Sequence, residues 1–275
     1  MSDNKQHLPN THAAEQEQAD REILDARAIA WNNRPVLRAV YNEYFQQMTD
    51  WLAVRNAIGP RPHGRVLEVG GGAGHFKTFY PDVIVTDIVP CSHIDLAADA
   101  MRLPFAENSL DNIVMHDVLH HLAYPLVFLT EAKRVLRPGG RIIMTEPYAS
   151  PVSWIFYKLM HPEPLDMSTT IFPESGESNG KLPPATRGQG AFASNQAIPT
   201  LIFFRQIDRF REQFPDLMLK HRSIHSMLVY PLSGGFSKPV LLPQFAFPAA
   251  RAIERICSPL APLLGFRTLV VLEKT

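Results

Sequence analysis

An acidic residue followed by closely spaced glycines marks the segment around position 70 as a candidate binding site. Residues 65–76 read RVLEVGGGAGHF, so Glu68 precedes Gly70, Gly71, Gly72 and Gly74. Glycines this close together destabilise any regular element, because each loses more conformational freedom on folding than another residue would. We therefore expect a tight strand-to-helix turn whose bare backbone amides face a ligand.

Polar residues recur where other apolar segments end. Asp87 closes the apolar segment 82–88, and His116 and Glu146 close segments 111–116 and 141–146. The carboxyl ends of parallel strands meet at one edge of a sheet, where ligands bind. We therefore expect these side chains to lie near the glycine turn.

Candidates for a general base are histidines and one carboxylate, and they matter only if the reaction removes a proton. They are His116, His120, His121, Glu146 and His161. Histidine has an unperturbed pKa suited to proton transfer near neutral pH. We interpret His120 and His121 as packing or capping residues, because adjacent helical residues point in different directions. Glu146 could have a functional role or could simply be a carboxylate at the end of a strand, and the sequence does not distinguish these two interpretations.

The elements that must position these residues alternate between strand and helix. Apolar residues after Pro35 recur at three- and four-residue steps and predict a long amphipathic helix. We read Tyr41 and Tyr44 on it as core residues, with closure over a ligand as the alternative. A helix over 125–136 ends at Arg137-Pro-Gly-Gly140. This alternation predicts right-handed βαβ units and a parallel sheet.

Composition narrows the class of protein. The 275 residues contain 27 Lys and Arg against 27 Asp and Glu, so the formal net charge is zero. No global field favours nucleic acid or an anionic surface. Cys91 and Cys257 lack the spacing of a disulfide framework or zinc site, so we predict no metal and a reducing cytoplasm. The sequence shows neither a signal peptide nor a spanning segment.

The glycine pattern separates two kinds of cofactor. Counting from Gly70, a dinucleotide fingerprint would place its third glycine at His75, so a nicotinamide cofactor is disfavoured. The pattern Glu68-x-Gly70-x-Gly72-x-Gly74 resembles motif I of class I S-adenosylmethionine-dependent methyltransferases. The similarity continues in order through Asp87, Asp99-Ala100 before Leu-Pro-Phe, Leu-His-His-Leu122 and Arg-Val-Leu-Arg-Pro-Gly-Gly140. It resembles most the small-molecule branch that includes the ubiquinone and menaquinone biosynthesis methyltransferases.

This resemblance implies roles for individual residues. Glu68 would interact with the ammonium of the methionine tail, and Asp87 would accept both ribose hydroxyls. Asp99 would accept a hydrogen bond from the adenine amino group. The complete predicted cofactor-binding set is Glu68, Gly70, Gly71, Gly72, Gly74, Asp87, Ile88, Asp99, Ala100 and His116, and the predicted catalytic set is His116, His120 and Glu146.

The resemblance also implies the fold, an α/β Rossmann-like doubly wound sheet with helices on both faces and a lid insertion. Seven strands are expected, mostly parallel, with 266–272 antiparallel to the rest. The residue pattern itself predicts a short third strand at 93–96 and another strand at 223–230. Five segments follow: a flexible arm over 1–20, helices covering the cofactor site over 21–60, and a cofactor-binding core over 61–150. A lid or substrate insertion spans 151–220, and C-terminal strands with an apolar helical insertion span 221–275.

The expected activity is methyl transfer to a small-molecule acceptor, without a nucleic-acid partner. Apolar residues in the insertion and beyond it suggest a hydrophobic or lipid-like acceptor that could be membrane-associated: Trp154, Ile155, Phe156, Leu159, Met160, Phe172, Phe192, Phe203, Phe204, Phe236 and Leu241. Packing of the insertion onto the sheet explains them equally well. The alternatives are a cofactor-binding regulatory protein without turnover and a nicotinamide-dependent oxidoreductase. Sequence leaves open the acceptor, the methylated atom and the oligomeric state.

Overall fold

A computed structural model describes residues 11–55, 61–173 and 183–275. Positions 1–10 of the predicted N-terminal arm, 56–60 of the predicted helical segment and 174–182 of the predicted lid lie outside these ranges. Within them no helix has the length and apolar character needed to cross a membrane.

The strands form one seven-stranded sheet in the order β3-β2-β1-β4-β5-β7-β6. Strands β1 to β5 pair in parallel, while β7 pairs antiparallel with both β5 and β6. The predicted doubly wound sheet with one antiparallel strand is therefore confirmed. The strands are β1 Val66–Val69, β2 Ile84–Asp87, β3 Leu96–Ala97, β4 Leu110–His116, β5 Leu136–Pro147, β6 Leu217–His225 and β7 Arg267–Lys274.

Helices cover both faces of the sheet. The longer ones are α1 Thr11–Asn33, α2 Pro35–Asp50, α4 Pro125–Val135, α5 Pro151–Met160, α7 Ile207–Gln213 and α9 Phe247–Ile256. Short helices are α3 His75–Phe79, α6 Ile198–Thr200, α8 Val229–Leu232 and α10 Ala261–Leu264, and a 3₁₀ turn spans Leu119–His121.

Each face of the sheet has its own apolar core. One core packs α4, α6 and α7 against the strands through residues such as Phe128, Ile198 and Phe210. The other packs α2 and α9 through residues such as Leu37, Phe45 and Ala250. Strands buried on both faces read as continuous apolar runs, which explains why β1 and β4 were recognisable from sequence.

The predicted flexible arm over 1–20 was wrong for residues 11–20, which belong to α1. Side-chain pairs four residues apart support this polar helix: Gln16 donates to Asp20 and Arg21 to Glu17. Asp20 also accepts from the amide of Ala191 at 3.0 Å and is buried. A contact 171 residues away anchors this helix, and local periodicity does not reveal such a contact.

Two strand boundaries also differ from prediction. The third strand, expected at 93–96, covers only Leu96–Ala97. The strand expected at 223–230 runs instead from Leu217 to His225, because Ser226 takes a φ of 63° and the chain then turns into α8. The first half of this edge strand carries polar residues on its exposed side, so its sequence lacks the apolar run by which the other strands were recognised.

Candidate active site

The glycine loop connects β1 to α3. Gly70, Gly72 and Gly74 have φ values of 68°, 49° and 71°, a region that favours glycine. The expectation of bare amides was wrong for three positions. Gly71 donates to the carbonyl of Thr86, Gly72 to Asp87, and Gly74 to the carbonyl of Gly71, at 2.8–2.9 Å. The glycines provide the required backbone conformation and close approach, while these three donors are already used.

Glu68, at the end region of β1, is a buried carboxyl group with an unused oxygen. Its exposed fraction is 5%, and its Oε2 has no hydrogen-bond partner among the residues that the structure describes. Burial, together with the nearby charge of Asp87, raises the pKa of Glu68 to about 8. A buried acceptor without a partner is costly, and a cationic ligand would satisfy it.

Asp87 anchors the glycine loop to the end of β2. Its Oδ2 accepts from the amide of Gly72, and its Oδ1 accepts from the amide of Val89, each at 2.9 Å. Burial raises the pKa of Asp87 in spite of these hydrogen bonds. Each oxygen keeps a second lone pair, so the carboxylate can still accept from a ligand.

The remaining predicted adenine-side residues lie around this strand end. Ile88 is 56% exposed, and Ala100 is buried. Asp99 accepts from the amide of Met101 at 2.8 Å and thereby caps a turn.

A cavity of about 620 Å³ opens at the carboxyl ends of the parallel strands. Its wall is formed by α1, the glycine loop and the segment after β4. Two further segments, around residues 190 and 235, complete the wall. Among the described residues, the predicted site residues that line it are Glu68, Gly70, Gly71, Gly72, His116 and His120. Those outside its lining are Gly74, Asp87, Ile88, Asp99, Ala100 and Glu146.

The apolar residues considered for acceptor binding fall into three groups. Phe156, Phe192 and Phe236 line the cavity. Phe172 and Phe203 are fully buried in the core, and Phe204 packs against it, as the packing alternative predicted. The others are exposed: Trp154, Ile155, Leu159, Met160 and Leu241.

An ion pair with a buried guanidinium lies in the cavity wall below α2. Arg267, only 1% exposed, contacts Asp117, which is partly buried. Burial alone would raise the pKa of Asp117, but the charge of Arg267, together with the charge and hydrogen bond of His116, outweighs burial and holds that pKa well below its usual range. The guanidinium also lies 5.7 Å from the ring centre of Tyr44 and 5.1 Å from that of Tyr230. Aromatic faces and one carboxylate thus compensate a charge removed from water.

His116 links this pair to the end of β4. Its Nδ1 contacts the hydroxyl of Thr145, and its Nε2 lies 3.3 Å from Asp117 Oδ2. Tyr41 donates to the same carboxylate oxygen at 3.3 Å, and its ring packs edge-on against His116 at 4.6 Å. Tyr41 is thus both a core residue and part of the cavity wall, so the two readings of this tyrosine were not exclusive.

Glu146 organises the turn that follows β4. Its Oε1 accepts from the amides of Val118 and Leu119 at 2.9 and 2.8 Å, and its Oε2 lies 2.7 Å from His120 Nδ1. It is completely buried. With three partners and no surface on the cavity, Glu146 fits a positioning role and does not fit the predicted catalytic one.

His120 and His121 both line the cavity, although adjacent helical residues were expected to diverge. They occupy a single 3₁₀ turn, and their ring centres lie 4.1 Å apart. Burial disfavours a charged His120, yet its bonds to Glu146 and Glu163 outweigh burial and raise its pKa to about 9. For His121, burial and the neighbouring His120 lower the pKa to about 4.

Sequence reasoning missed six charged residues that line this cavity: Arg27, Asp117, Glu163, Arg187, Lys238 and Arg267. An arginine at the start of the apolar strand RTLVV was a signal that could have been read, because buried charges need partners. Glu163 and Arg27 carry no comparable signal. Their place in the site depends on how the insertion and α1 fold over the sheet.

Comparison with known proteins supports the domain assignment. Residues 67–144 match the methyltransferase domain family. A demethylmenaquinone methyltransferase of Beutenbergia cavernae is 33% identical over 109 residues, which cover 34% of this chain and 45% of the relative. An uncharacterized 37.1 kDa protein in transposon TN4556 of Streptomyces fradiae is 44% identical over 162 residues, 47% of each chain. The chain spans about half the length of the curated relatives it matches.

A solved structure shows the same fold over most of the chain. The geranyl diphosphate C-methyltransferase of Streptomyces coelicolor A3(2), in complex with Mg²⁺, geranyl diphosphate and S-adenosyl-L-homocysteine, superposes with a TM-score of 0.50 at 11% identity. The superposition covers 86% of this chain and 80% of that one. At this identity the likeness concerns the fold alone.

Proposed function

We propose that this chain, whose residues 67–144 match the methyltransferase domain family, is a class I S-adenosylmethionine-dependent methyltransferase that transfers the methyl group of its cofactor to a small-molecule acceptor. One observation carries this proposal. The glycine loop faces the same 620 Å³ cavity as a set of aromatic and histidine side chains, and so does Glu68, whose Oε2 has no hydrogen-bond partner in the part of the chain that the structure describes. Cofactor and acceptor would therefore meet in one enclosed space.

The residues fit the cofactor at both of its ends. Glu68 Oε2, buried and without a partner among the described residues, would receive the ammonium of the methionine tail. Asp87 holds the loop and keeps lone pairs for the ribose hydroxyls, and the exposed Ile88 would cover the adenine. When bound, the cofactor supplies an electrophilic methyl group on a positively charged sulfur.

The cavity residues supply alignment and exclusion of water, which are the main contributions an enzyme makes to an in-line displacement. Tyr41 and Phe45 line the cavity together with the glycine loop. Their ring faces suit a positively charged group. Phe192 and Phe236 add apolar surface to the wall, and the Arg27 guanidinium lies 4.7 and 5.8 Å from their ring centres.

We further propose a hydrophobic acceptor. Phe156, Phe192 and Phe236 give the acceptor side of the cavity aromatic surface, and a quinone-precursor methyltransferase is among the relatives of this chain. Apolar lining with a few polar groups is typical of sites for such ligands.

If the acceptor must lose a proton, His116 is the base that the geometry supports best. It lines the cavity at the end of β4, and Asp117 lies 3.3 Å from its Nε2, a carboxylate that can stabilise the protonated ring. Glu146 has no cavity surface, and His120 already bridges two carboxylates.

A direct test combines binding and transfer. The purified full chain should be stabilised thermally by S-adenosylmethionine and not by NADH, because only a ligand of the native state raises Tm. It should then transfer labelled methyl groups to members of an apolar acceptor panel. Transfer only to sugars and other hydrophilic acceptors would refute the acceptor class. Tight cofactor binding without transfer to any panel member would favour a regulatory protein.

Delivery of such an acceptor from a membrane has structural support. Helix α5 packs against α10, and this side of the protein exposes large apolar residues. They include Leu159, Met160, Ile253, Ile256, Leu260 and Leu263, at 46–78% exposure. We propose that this surface rests on a lipid bilayer. Sedimentation with neutral phosphatidylcholine vesicles should deplete the protein from solution, and the double variant Leu159→Ser, Ile256→Ser should stay in solution. Equal recovery of both in the supernatant would refute this contact.

A further inference from the structure

Three side chains with metal-binding atoms converge in the cavity beside the proposed cofactor site. His120 Nε2 lies 3.4 Å from Glu163 Oε2, and one ligand atom from each of His120, His121 and Glu163 can be chosen so that all three lie within 4.8 Å of one another. All three residues line the cavity. We propose that they bind a divalent transition-metal ion through two imidazole nitrogens and one carboxylate.

Both imidazoles are held as metal-binding histidines are usually held, with the second ring nitrogen bonded to a fixed acceptor. His120 Nδ1 lies 2.7 Å from Glu146 Oε2. His121 Nδ1 lies 3.0 Å from the carbonyl oxygen of Ala193, which can only accept, so this nitrogen donates. The lone pair of His121 is therefore on Nε2.

The carboxylate comes from the insertion and is also held in place. Gln196 donates to Glu163, and Arg27 lies 3.9 Å from its other oxygen. Ligands bound at about 2.1 Å in a tetrahedral site are about 3.4 Å apart. The separation between His120 Nε2 and Glu163 Oε2 has this value, and the ligand atom of His121 lies within 4.8 Å of both.

A second group of potential ligands, Asp117, His120 and Glu146, is less suitable. Glu146 already accepts from two backbone amides and His120, so metal binding there would break the turn after β4. Binding of a metal ion by Glu163 would leave these hydrogen bonds of the turn intact.

The ligand set indicates the kind of metal. Imidazole nitrogens favour Zn²⁺, Fe²⁺ and their neighbours, whereas Mg²⁺ and Ca²⁺ prefer oxygen ligands. Three protein ligands leave at least one coordination position toward the cavity. An acceptor with a phenolic or enolic oxygen could occupy that position, a role that rests on the proposed function. The sequence predicted no metal because Glu163 is 42 residues from His121 and only the fold brings them together.

The experiment uses full-length protein without a histidine tag, stripped with a chelator and titrated with Co²⁺ and Zn²⁺. One equivalent should bind, and the Co²⁺ complex should show the visible absorption bands of nitrogen-ligated cobalt. His121→Gln and Glu163→Gln should each weaken binding at least about tenfold. His93→Gln, which removes an exposed histidine outside the group, should leave binding unchanged.

Absence of stoichiometric binding of either metal would overturn the proposal. So would equal affinity in wild type, His121→Gln and Glu163→Gln, with circular dichroism confirming that the variants fold. Cofactor affinity measured on the same samples separates the two proposals. Metal binding without S-adenosylmethionine binding would leave the metal site standing and refute the proposed function, and the reverse result would refute the metal site.

Discussion

The indole ring of Trp31 stacks on the imidazole of His75, with ring centres 4.1 Å apart and an angle of 10° between their planes. Trp31 belongs to α1, and His75 is the first residue of α3, directly after the glycine loop. A Cβ atom at Gly72 would lie only 3.2 Å from Leu24 of the same helix. Helix α1 therefore covers the glycine loop, and cofactor binding should depend on it.

Trp31→Ala should weaken S-adenosylhomocysteine binding about threefold or more, because stacked aromatic pairs contribute about 0.5–1.5 kcal/mol. Isothermal titration calorimetry measures the change. Ile29→Ala removes an exposed apolar residue of the same helix and serves as the control. Equal affinities for wild type and Trp31→Ala would show that α1 does not contribute to the bound state.

Cofactor binding should release a proton at pH 7. The pKa of Glu68 is about 8, so the ligand-free carboxyl is mostly protonated, and an arriving ammonium favours its ionised form. Calorimetry in buffers of different ionisation enthalpy should detect release of nearly one proton. Glu68→Gln should abolish this release and weaken binding. Proton uptake on binding would contradict the role assigned to Glu68.

The same pKa makes a prediction for the ligand-free protein. Folded Glu68 retains a proton that the unfolded chain releases above about pH 4.5, so its contribution to the free energy of unfolding falls as pH rises to about 8. Glu68→Gln should raise Tm at pH 8 and change it little at pH 4.5. Thermal denaturation at the two pH values provides the measurement, and a variant that loses stability at pH 8 would refute the raised pKa.

Asp87→Ala should weaken cofactor binding by roughly tenfold or more, on the order of ~1.4 kcal/mol. The substitution removes the acceptor that holds the amides of Gly72 and Val89, as well as the proposed ribose contact. Gly72→Val should act similarly, because a side chain would sit at a φ of 49° and against Leu24. Asp82→Ala, at an exposed site before β2, is the matched control. Unchanged affinity in both variants would mean that the ligand is a different one.

Arg267→Met should destabilise the fold by about 3 kcal/mol, the lower end of the range for breaking a buried pair, because it leaves the partly buried Asp117 without its compensating charge. Adding Asp117→Asn should restore much of this loss, since asparagine tolerates the φ of 58° at that position. Chemical denaturation of both single variants and the double variant gives the coupling energy. Strictly additive effects would show that the two residues do not act as a pair.

Much of the core could be read from sequence because its signals are local. Pro35 and the apolar spacing after it defined α2, and the pattern around Gly70 and Asp87 identified the domain family. Edge and surface elements were harder. The pairs Gln16 to Asp20 and Glu17 to Arg21 resemble a solvated polar segment until the contact with Ala191 is known.

The sequence by itself determined the parallel strands of the core and the glycine turn, since these depend on periodicity and on spacing within short segments. The kind of cofactor followed from the resemblance of that turn to a methyltransferase motif. The tertiary structure alone decided which charges share the cavity. Asp117 meets Arg267, and His120 meets Glu163, across 150 and 43 positions of chain. Their pairing follows from the return of β7 to the sheet and from the insertion folding over the 3₁₀ turn. Contacts of this kind depend on packing between distant elements, which local residue patterns do not record.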